Sequence, residues 1–483
     1  MSVRLSDLVQ RELDIDPVIE GVTADSRKVR PGYLFAALPG VQADGRAFIP
    51  GAIQAGAAAV LTGEDALAIG APVVRVLDVR RAYALAAGAF YGAQPTICVA
   101  VTGTNGKTSV AAFCRQIFDH LGRKSASMGT LGVTLSPRAG GEQIAPPGLT
   151  TPDAADVAER LADLASRGVT HLAMEASSHG IDQRRLDGVH LTAAGFLNLT
   201  QDHLDYHGTM QAYRAAKLRL FERLLPRGRT AVLNADSDAF SAFAAASVGA
   251  GHTVLSVGEH GQALRLTERS PSAEGQRLTI LADGRPYTTL LPLAGAFQAS
   301  NALVAAGLCI AAGEAPGEAL AALEHVQGAP GRLQRIGVGP KGGEAYIDYA
   351  HTPDGLKTVL EALRPHASGR LIIVFGAGGD RDRAKRPLMG EAAVQGADLV
   401  FVTDDNPRSE DPSTIRAAIL AAAPGAREIG DRRQAIAAAV AELRDGDVLV
   451  VAGKGHEQGQ TVGSQVLPFD DAAETAAALE AAA

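Results

Sequence analysis

The chain has 483 residues, and its 45 basic and 53 acidic side chains leave a formal net charge of −8. That length predicts about three domains, and the negative charge argues against nucleic acid as a partner, because phosphate polymers bind to basic surfaces. Three scattered cysteines, Cys98, Cys114 and Cys309, exclude a disulfide framework and a cysteine-rich zinc site. The sequence indicates neither a secretory leader nor an apolar run of the roughly 18 residues that a membrane span needs.

The first part of the chain, 1–93, has the pattern of a small α/β domain. A turn at Pro31-Gly32 precedes the apolar run 33–37, which predicts a buried strand. Gln94-Pro95 marks a boundary, and Ala329-Pro330-Gly331 marks a second one. The sequence therefore predicts three domains, over 1–93, 94–328 and 329–483.

Short apolar runs alternate with helical patterns in the second and third domains, which indicates parallel sheets. Helices are predicted over 109–121, 213–221 and 301–312. Strands are predicted over 97–101, 172–174, 195–199, 371–375, 399–402 and 448–451. Ligands are expected at the carboxyl ends of these strands.

The segment 103–108, with the sequence GTNGKT, lies between a predicted strand and a predicted helix. Its glycines allow backbone N–H groups to face phosphate oxygens, and the helix N-terminus favours an anion. Lys107 can reach the β- and γ-phosphates, and the Thr108 hydroxyl can bind Mg²⁺. Val101 replaces the first glycine of a standard P-loop, so the alternative is a helix-capping turn without a ligand. The spacing favours phosphate binding.

Further side chains have the chemistry of a nucleotide site. Glu175 ends an apolar strand, where an NTPase commonly keeps a metal-binding acid, and the alternative is an ion pair with a surface base. His203 and His207 are four residues apart, but Leu204 stands where the zinc motif needs glutamate, so zinc is not predicted. Lys217 lies among small and apolar residues, which could lower its pKa, or its ammonium could simply reach solvent.

Three loops follow the predicted strands of the third domain. The loop 376–381 resembles a dinucleotide fingerprint, but Arg381 replaces the last glycine, so NAD is not predicted. The loop 404–408 offers an amide and a guanidinium that can hold a carboxylate. Glu457 in the third loop can pair with an ammonium group. Together the loops suit a zwitterionic, amino-acid-like ligand, although each alone could be a turn.

The ordered set of motifs resembles the Mur ligase family and, within it, the MurE type. The resemblance rests on segments spread through nearly the whole chain: 25–27, 103–108, 150–153, 175–180, 202–208, Lys217, 348–354 and the three late loops. It implies an α/β fold with three domains, namely a small N-terminal UDP-sugar-binding domain (1–93), a central P-loop-type ATPase domain (94–328) and a C-terminal Rossmann-like domain that binds an amino acid (329–483).

The resemblance also implies an activity. A chain of this type is expected to add meso-2,6-diaminopimelate to UDP-N-acetylmuramoyl-L-alanyl-D-glutamate, with ATP and through an acyl phosphate, in peptidoglycan precursor synthesis. A cytoplasmic monomer is expected, with closure of the C-terminal domain over the central site. The alternatives are a lysine-adding or folylpolyglutamate-type ligase, or a catalytically silent nucleotide-binding homologue.

Individual residues take roles from the resemblance. Catalysis is assigned to Lys107, Glu175, His203 and Lys217. Two Mg²⁺ ions are implied, one on Thr108 and Glu175 and the other on His203 and Lys217, with Lys217 as a carbamate formed from CO₂. The residues implied to hold ATP are Gly103, Thr104, Asn105, Gly106, Lys107, Thr108, Ser109, Asn301, Arg332, Asp348 and Tyr349.

Two further sets are implied to hold the other substrates. The UDP-sugar peptide is assigned to Ser26, Val41, Gln42, Ala43, Thr150, Thr151, Ser177, Gln183 and Arg185. Position 149, often polar in relatives, is Leu149 here, which puts one contact in doubt. Diaminopimelate is assigned to Arg381, Asp405, Asn406, Pro407, Arg408, Gly453 and Glu457. Arg381 and Arg408 are expected on the distal carboxylate that lysine lacks, so the sequence DNPR at 405–408 speaks against a lysine-adding enzyme.

Overall fold

The computed structural model describes residues 2–40, 44–63, 70–272 and 274–482. These residues form two compact units. The first comprises the chain up to Arg265 together with Leu303–Ala322, and the second comprises Leu266–Ala302 and the chain from Leu323 onward. None of the helices in these ranges combines the length and the apolar character that a membrane span requires.

The amino-terminal part of the first unit is a small parallel sheet with helices. Its elements are β1 (Val3–Arg4), α1 (Leu5–Val9), β2 (Val18–Ile19), β3 (Gly21–Thr23), β4 (Tyr33–Ala36), α2 (Ile49–Gln54), β5 (Ala59–Thr62), β6 (Val73–Arg75) and α3 (Val79–Tyr91). The strand order is β3-β4-β5-β6, and every pair is parallel. The Tyr83 hydroxyl on α3 donates to the Asp153 carboxylate at 2.6 Å, which ties this part to the central part of the same unit.

The central part of the first unit is a larger sheet built around β7 (Ile97–Thr102). The elements that follow are α4 (Lys107–His120), β8 (Ser125–Gly129), β9 (Gly132–Leu135), β10 (Gln143–Ala145), α5 (Ala154–Ser166), β11 (His171–Glu175), α6 (Ser178–Asp182), β12 (Ala193–Phe196), α7 (Leu204–His207), α8 (Met210–Arg219), β13 (Thr230–Asn234), α9 (Phe240–Gly249), β14 (Thr253–Gly258), β15 (Leu264–Ser272), α10 (Ala296–Ala311) and α11 (Pro316–Ala321). Of these, β15 and α10 each have residues in both units. A π-helical turn, Leu220–Leu224, extends α8.

The order of the strands in this sheet indicates where a ligand site is expected. The sequence of neighbours is β10-β9-β8-β11-β7-β12-β13-β14, and all pairs from β8 to β14 are parallel. Strands β11 and β12 therefore flank β7 on opposite sides. In open parallel sheets the ligand crevice lies at the carboxyl ends of the strands where the order reverses. The loop after β7 begins at that point.

The second unit contains a six-stranded sheet and two hairpins. Its elements are β16 (Gly275–Ala282), β17 (Arg285–Leu291), β18 (Gln334–Val338), β19 (Glu344–Asp348), α12 (Pro353–Leu363), β20 (Leu371–Phe375), α13 (Lys385–Gly396), β21 (Leu399–Val402), α14 (Pro412–Leu420), β22 (Arg427–Glu428), α15 (Arg432–Glu442), β23 (Val448–Ala452), β24 (Gly459–Val462), β25 (Gln465–Pro468) and α16 (Asp471–Ala482). The order β18-β19-β23-β20-β21-β22 is parallel except for β18 with β19. A fully buried ion pair, Arg432 with Asp471, joins α15 to α16.

Most predicted elements are present, and the differences lie at their ends. The strands predicted over 371–375 and 399–402 match β20 and β21 residue for residue. The strand predicted over 195–199 is instead Ala193–Phe196, because the backbone from Leu197 onward bonds to the end of β7 and the loop after it. Helix α4 begins at Lys107 rather than at residue 109, since Gly106 caps it with a φ of +89°. Helix α10 begins five residues before the predicted start.

Candidate active site

The loop after β7 is fixed by a side chain from the neighbouring strand connection. Asn198 follows β12, and its Oδ1 accepts the backbone N–H groups of Thr104, at 3.1 Å, and Asn105, at 2.9 Å. Its Nδ2 donates to the Asn105 carbonyl oxygen at 3.2 Å. Thr108 and Ser109 lie buried in the first turn of α4. The loop thus precedes a helix N-terminus, which is the arrangement that binds phosphate groups.

Glu175 lies at the end of β11 and faces this helix start. Its Oε2 accepts the Thr108 hydroxyl at 3.1 Å, and its Oε1 accepts the Thr130 backbone N–H at 2.8 Å. A Cβ at Gly129 would collide with this carboxylate, so the glycine that ends β8 gives the acid its space. A hydroxyl and a carboxylate side by side are the oxygen donors that Mg²⁺ prefers. Thr108 and Glu175 therefore fit one magnesium ion.

Two lysines share one carbonyl oxygen in the loop. Lys107 Nζ donates to the Gly103 carbonyl oxygen at 2.9 Å, and Lys217 Nζ donates to the same oxygen at 2.8 Å. Lys217 is 1% exposed. Burial, reinforced by the charge of Lys107, lowers the pKa of Lys217 well below its usual value, although Asp202 opposes the shift. A lowered pKa increases the fraction of a lysine side chain that is the neutral, nucleophilic amine.

Tyr213 connects Lys217 to the loop after β7. The Lys217 Nζ lies 4.6 Å from the centre of the Tyr213 ring, and the Tyr213 hydroxyl lies 3.2 Å from the Thr104 Oγ1. Burial raises the pKa of Tyr213 to about 12, so its hydroxyl stays protonated at neutral pH. Tyr213 therefore contacts both the buried amine of Lys217 and the Thr104 side chain of the loop.

A group of aromatic and imidazole rings borders the same loop. The His179 ring centre lies 4.9 Å from that of His203, 4.2 Å from that of Tyr206 and 5.4 Å from that of His207. Burial lowers the pKa of His203, and the charges of Lys107 and Lys217 act in the same direction. Neutral imidazole is the form that binds a metal. Within the described ranges, no group of three or more His, Cys, Asp or Glu side chains forms a ready metal site.

Four of the residues assigned to the UDP-sugar peptide are bonded to one another. Ser177 Oγ donates to Thr151 Oγ1 at 3.0 Å, and Thr151 Oγ1 donates to the Glu175 carbonyl oxygen at 3.1 Å. Arg185 donates to the Thr151 carbonyl oxygen and, at 2.7 Å, to Gln183 Oε1. These five residues therefore form one continuous network that starts at the backbone carbonyl of Glu175.

The remaining residues of this set lie near the network or outside the described ranges. Thr150 Oγ1 lies 2.9 Å from Thr130 Oγ1, which bonds Glu175. Ser26 begins a short 3₁₀ turn capped by Asp25, whose pKa the Arg27 guanidinium lowers to about 2. Leu149 is 65% exposed. The predicted contacts Val41, Gln42 and Ala43 lie outside the described residues.

Four predicted nucleotide contacts belong to the second unit. The Arg332 guanidinium carbon lies 4.6 Å from the centre of the Tyr349 ring, and its Nε is buried with no hydrogen bond to another described residue. The Asp348 carboxylate accepts the backbone N–H groups of Leu333 and Ala350, each at 2.8 Å, and burial raises its pKa. Asn301 is buried and donates to Gln298 Oε1 at 3.0 Å. The structure brings Arg332, Asp348 and Tyr349 together.

The predicted amino-acid site is a set of interlocked loops after β20, β21 and β23. Asn406 Nδ2 donates to Glu457 Oε2 at 2.9 Å. Lys454 is fully buried, and its Nζ donates to Asn406 Oδ1 at 3.0 Å and to Glu457 Oε2 at 3.2 Å. Arg408 donates to the Gly379 carbonyl oxygen at 2.7 Å. The amide and the acid predicted to face an amino group are thus held in place by a buried lysine.

The other members of this set have simpler surroundings. Arg381 is exposed and makes no hydrogen bond or ion pair with any residue that the structure describes. Gly453 has a φ of +118° and approaches the Asp405 carboxylate, whose Oδ1 accepts the Asn406 N–H at 2.7 Å. The Pro407 carbonyl oxygen accepts the backbone N–H of Glu410. An exposed guanidinium beside these loops is available to an anionic ligand.

Several residues that shape the two sites have no role among the sequence-based predictions. These residues are Asn198, Thr130, Tyr213 and Lys454. Asn198 and Lys454 each follow an apolar strand by two residues, which is a position where a ligand site is expected in a parallel sheet. Thr130 and Tyr213 carry no such signal, because their contacts depend on the packing of distant segments.

Comparisons with known proteins match the whole chain. A UDP-N-acetylmuramoyl-L-alanyl-D-glutamate–2,6-diaminopimelate ligase from Caulobacter vibrioides is 69% identical over 99% of both chains. The chain belongs to the Mur ligase family. The model of the Mur ligase middle domain matches residues 101–309, that of the Mur ligase glutamate ligase domain matches 331–455, and that of the Mur ligase family catalytic domain matches 18–91. The predicted family is therefore confirmed.

Other Mur ligases extend this similarity. A ligase of the same name from Bradyrhizobium diazoefficiens is 52% identical over 99% of both chains. A solved structure of a UDP-N-acetylmuramoyl-L-alanyl-D-glutamate–2,6-diaminopimelate ligase has a TM-score of 0.76, is 35% identical, and covers 100% of this chain and 99% of its own. The predicted α/β fold with three Mur ligase domains is confirmed.

Proposed function

We propose that this chain is an ATP-dependent ligase that joins meso-2,6-diaminopimelate to UDP-N-acetylmuramoyl-L-alanyl-D-glutamate, a step of peptidoglycan precursor synthesis. The similarity to ligases of that name over 99% of the chain supports the reaction. The observation that carries the residue assignment is the convergence of Lys107 and Lys217 on the Gly103 carbonyl oxygen. It gathers cationic and nucleophilic groups where the γ-phosphate of ATP is expected.

The first step activates a carboxylate. An oxygen of the D-Glu γ-carboxylate attacks the γ-phosphorus, the bond to the β,γ-bridging oxygen breaks, and ADP leaves with an acyl phosphate remaining. The N-terminus of α4, which follows the loop positioned by Asn198, and the Lys107 ammonium offset the negative charge of the transferred phosphoryl group. A carboxylate is a poor electrophile, whereas an acyl phosphate has a good leaving group.

The second step forms the amide. The neutral amine of diaminopimelate attacks the acyl carbon, the C–O bond to phosphate breaks, and the amine loses a proton as inorganic phosphate departs. The network of Thr151, Ser177 and Arg185 holds the peptide end near Glu175, so the acyl group stays beside the loop.

Magnesium suits the oxygen donors at the first metal position. Thr108 and Glu175 would hold one ion, which would supply positive charge to the phosphate oxygens of ATP. The second position pairs the His203 imidazole with Lys217. An ammonium group cannot bind a cation, so a second ion needs a different form of this lysine.

A carbamate on Lys217 supplies that form. The neutral Nζ lone pair attacks the carbon of CO₂, an N–C bond forms, and the nitrogen releases a proton to give a carbamate anion. The low pKa of the buried amine supports this reaction, because only the neutral amine is nucleophilic. The carbamate keeps one N–H, which can continue to donate to the Gly103 carbonyl oxygen.

The loops of the second unit select the amino acid. Asn406 and Glu457, ordered by Lys454, would face the amino group of diaminopimelate. Arg381 and Arg408 would hold its distal carboxylate. Lysine lacks that carboxylate and would leave a guanidinium desolvated without an anionic partner, which is an unfavourable state.

The test is a phosphate-release assay with ATP, UDP-N-acetylmuramoyl-L-alanyl-D-glutamate and either diaminopimelate or lysine. We expect release with diaminopimelate and a value of kcat/KM at least about a hundredfold lower with lysine, which corresponds to roughly 3 kcal/mol. Equal rates would contradict the amino-acid assignment. No release with either amino acid would favour a nucleotide-binding protein without ligase activity.

A further inference from the structure

The first unit contains a cavity lined by arginines and acidic residues. Its volume is about 650 Å³, within the range of small-molecule sites. It is lined by the start of α3, the connection after α6 and the chain from the end of α8 through the π-helical turn to Arg227. None of its lining residues is among the predicted ATP, metal, peptide or amino-acid contacts.

The walls of this cavity are held by ion pairs. Asp187, 4% exposed, accepts two hydrogen bonds from the Arg219 guanidinium, at 2.9 and 2.5 Å, and lies 3.7 Å from Arg81 Nε. Arg184 donates from Nε to the Asp78 carboxylate at 3.1 Å. These pairs fix three guanidinium groups at the lining and neutralise two of the acids there.

Two further arginines of the lining have no such partner. Arg223 and Arg227 are exposed, and neither makes a hydrogen bond or an ion pair with any residue of the described ranges. The third acid of the lining, Glu222, makes no ion pair with another described residue either. Five arginines and three acidic residues line the cavity in total, which leaves a net charge of +2.

We propose that this cavity is a binding site for a phosphate group carried by a small molecule. A guanidinium presents a planar pair of N–H donors that matches the oxygens of a phosphate. The net charge of +2 balances one phosphate dianion, and the volume leaves room for the organic part of a metabolite. Since Arg223 and Arg227 have no intramolecular acceptor, a bound phosphate gains their hydrogen bonds without breaking an existing ion pair.

The test measures binding by titration calorimetry with two probes, D-fructose 1,6-bisphosphate and inorganic phosphate. The full chain is kept saturated with Mg²⁺ and a non-hydrolysable ATP analogue, so that the loop after β7 is occupied. We expect one bisphosphate per chain. Stronger binding of inorganic phosphate than of the bisphosphate would identify the free ion as the ligand.

Two double variants test whether the probes bind in this cavity. The double variant Arg223→Ala/Arg227→Ala should weaken binding at least tenfold, whereas Arg265→Ala/Arg277→Ala, which removes two exposed arginines elsewhere, should leave it unchanged. The proposal is overturned if neither probe binds the wild-type chain, if the first variant binds as wild type does, or if both variants lose affinity equally. Thermal melting of each variant checks that it is folded, and its ligase activity is a separate measurement.

Discussion

The central site and the C-terminal loops each contain a buried lysine, but the two lysines have different hydrogen-bond partners. In the central site, Lys217 is almost fully buried, and within the described ranges its ammonium has hydrogen-bond acceptors only on the backbone. In the C-terminal loops, the buried Lys454 is bonded to Asn406 and to the Glu457 carboxylate. One buried lysine has no carboxylate partner among the described residues, whereas the other is bonded to one.

This difference shows what each region contributes. A buried amine without a carboxylate partner is destabilised in its charged form, so it is suited to covalent chemistry and to anionic ligands. A buried amine in an ion pair orders the groups around it. We therefore expect the central lysine to control the rate of the reaction and the C-terminal lysine to control which amino acid is bound.

Replacing the central lysine should have the largest effect on activity. Lys217→Ala removes the amine that is proposed to form the carbamate, and we expect kcat to fall about a thousandfold, by analogy with the loss of other charged groups in phosphoryl transfer. Phosphate release measures the loss, and acetate or propionate should restore part of the rate by supplying a carboxylate. Lys124→Ala, at an exposed lysine of the same unit, is the control. Full activity in the Lys217 variant would refute the carbamate.

The buried ion pair of the second unit should have the largest effect on stability. Asp471→Asn leaves the Arg432 guanidinium buried without its anion, so the free energy of unfolding of this unit should fall by about 3–5 kcal/mol. Urea denaturation measures the change.

A neighbouring pair between the same two helices is its matched control. Arg433 and Glu474 also join α15 to α16, but Arg433 is 67% exposed. Glu474→Gln should therefore change the stability by less than about 1 kcal/mol. Equal losses in the two variants would show that burial is not what makes the Arg432–Asp471 pair important.

Removal of the C-terminal lysine should alter substrate selection. Lys454→Met leaves Asn406 and Glu457 without their shared donor, and we expect the KM for diaminopimelate to rise about tenfold, or about 1.4 kcal/mol, with little change in the KM for ATP. Steady-state kinetics with each substrate varied in turn separates the two constants. Lys357→Met, at an exposed lysine in the same unit, should behave as wild type. A large fall in kcat at an unchanged KM would contradict a positioning role.

The smallest effect is expected at the tyrosine that contacts Lys217. Tyr213→Phe keeps the ring beneath the amine but loses the hydroxyl next to Thr104, so kcat/KM for ATP should fall about fivefold, or roughly 1 kcal/mol. The control Tyr287→Phe removes a hydroxyl from β17. An effect as large as that of Lys217→Ala would mean that the Tyr213 hydroxyl does more than set the position of the loop.

The sequence was informative where a site depends on local order along the chain. Apolar runs located β7, β20 and β21 to within a residue, and the 103–108 loop followed because backbone turns and a helix start are local features. The strand-end position of Glu175 was predicted for the same reason.

The contacts between distant segments could not be predicted in this way. The Asn198 side chain reaches a loop more than 90 residues earlier, and Gly129 makes space for Glu175 from a different strand. The role of Lys454 depends on the fold bringing the loops after β21 and β23 together. Such contacts follow from the order of strands in each sheet, which the pattern of apolar residues along one chain does not specify.

The central claim is that the first unit transfers the γ-phosphoryl group of ATP to a substrate carboxylate before an amine attacks. The most direct test uses UDP-N-acetylmuramoyl-L-alanyl-D-glutamate labelled with ¹⁸O in both oxygens of the D-Glu γ-carboxylate. If an acyl phosphate forms and the amine displaces phosphate, each released phosphate must carry one ¹⁸O atom, which mass spectrometry detects. Unlabelled phosphate, released at the same rate as the amide product, would contradict the account.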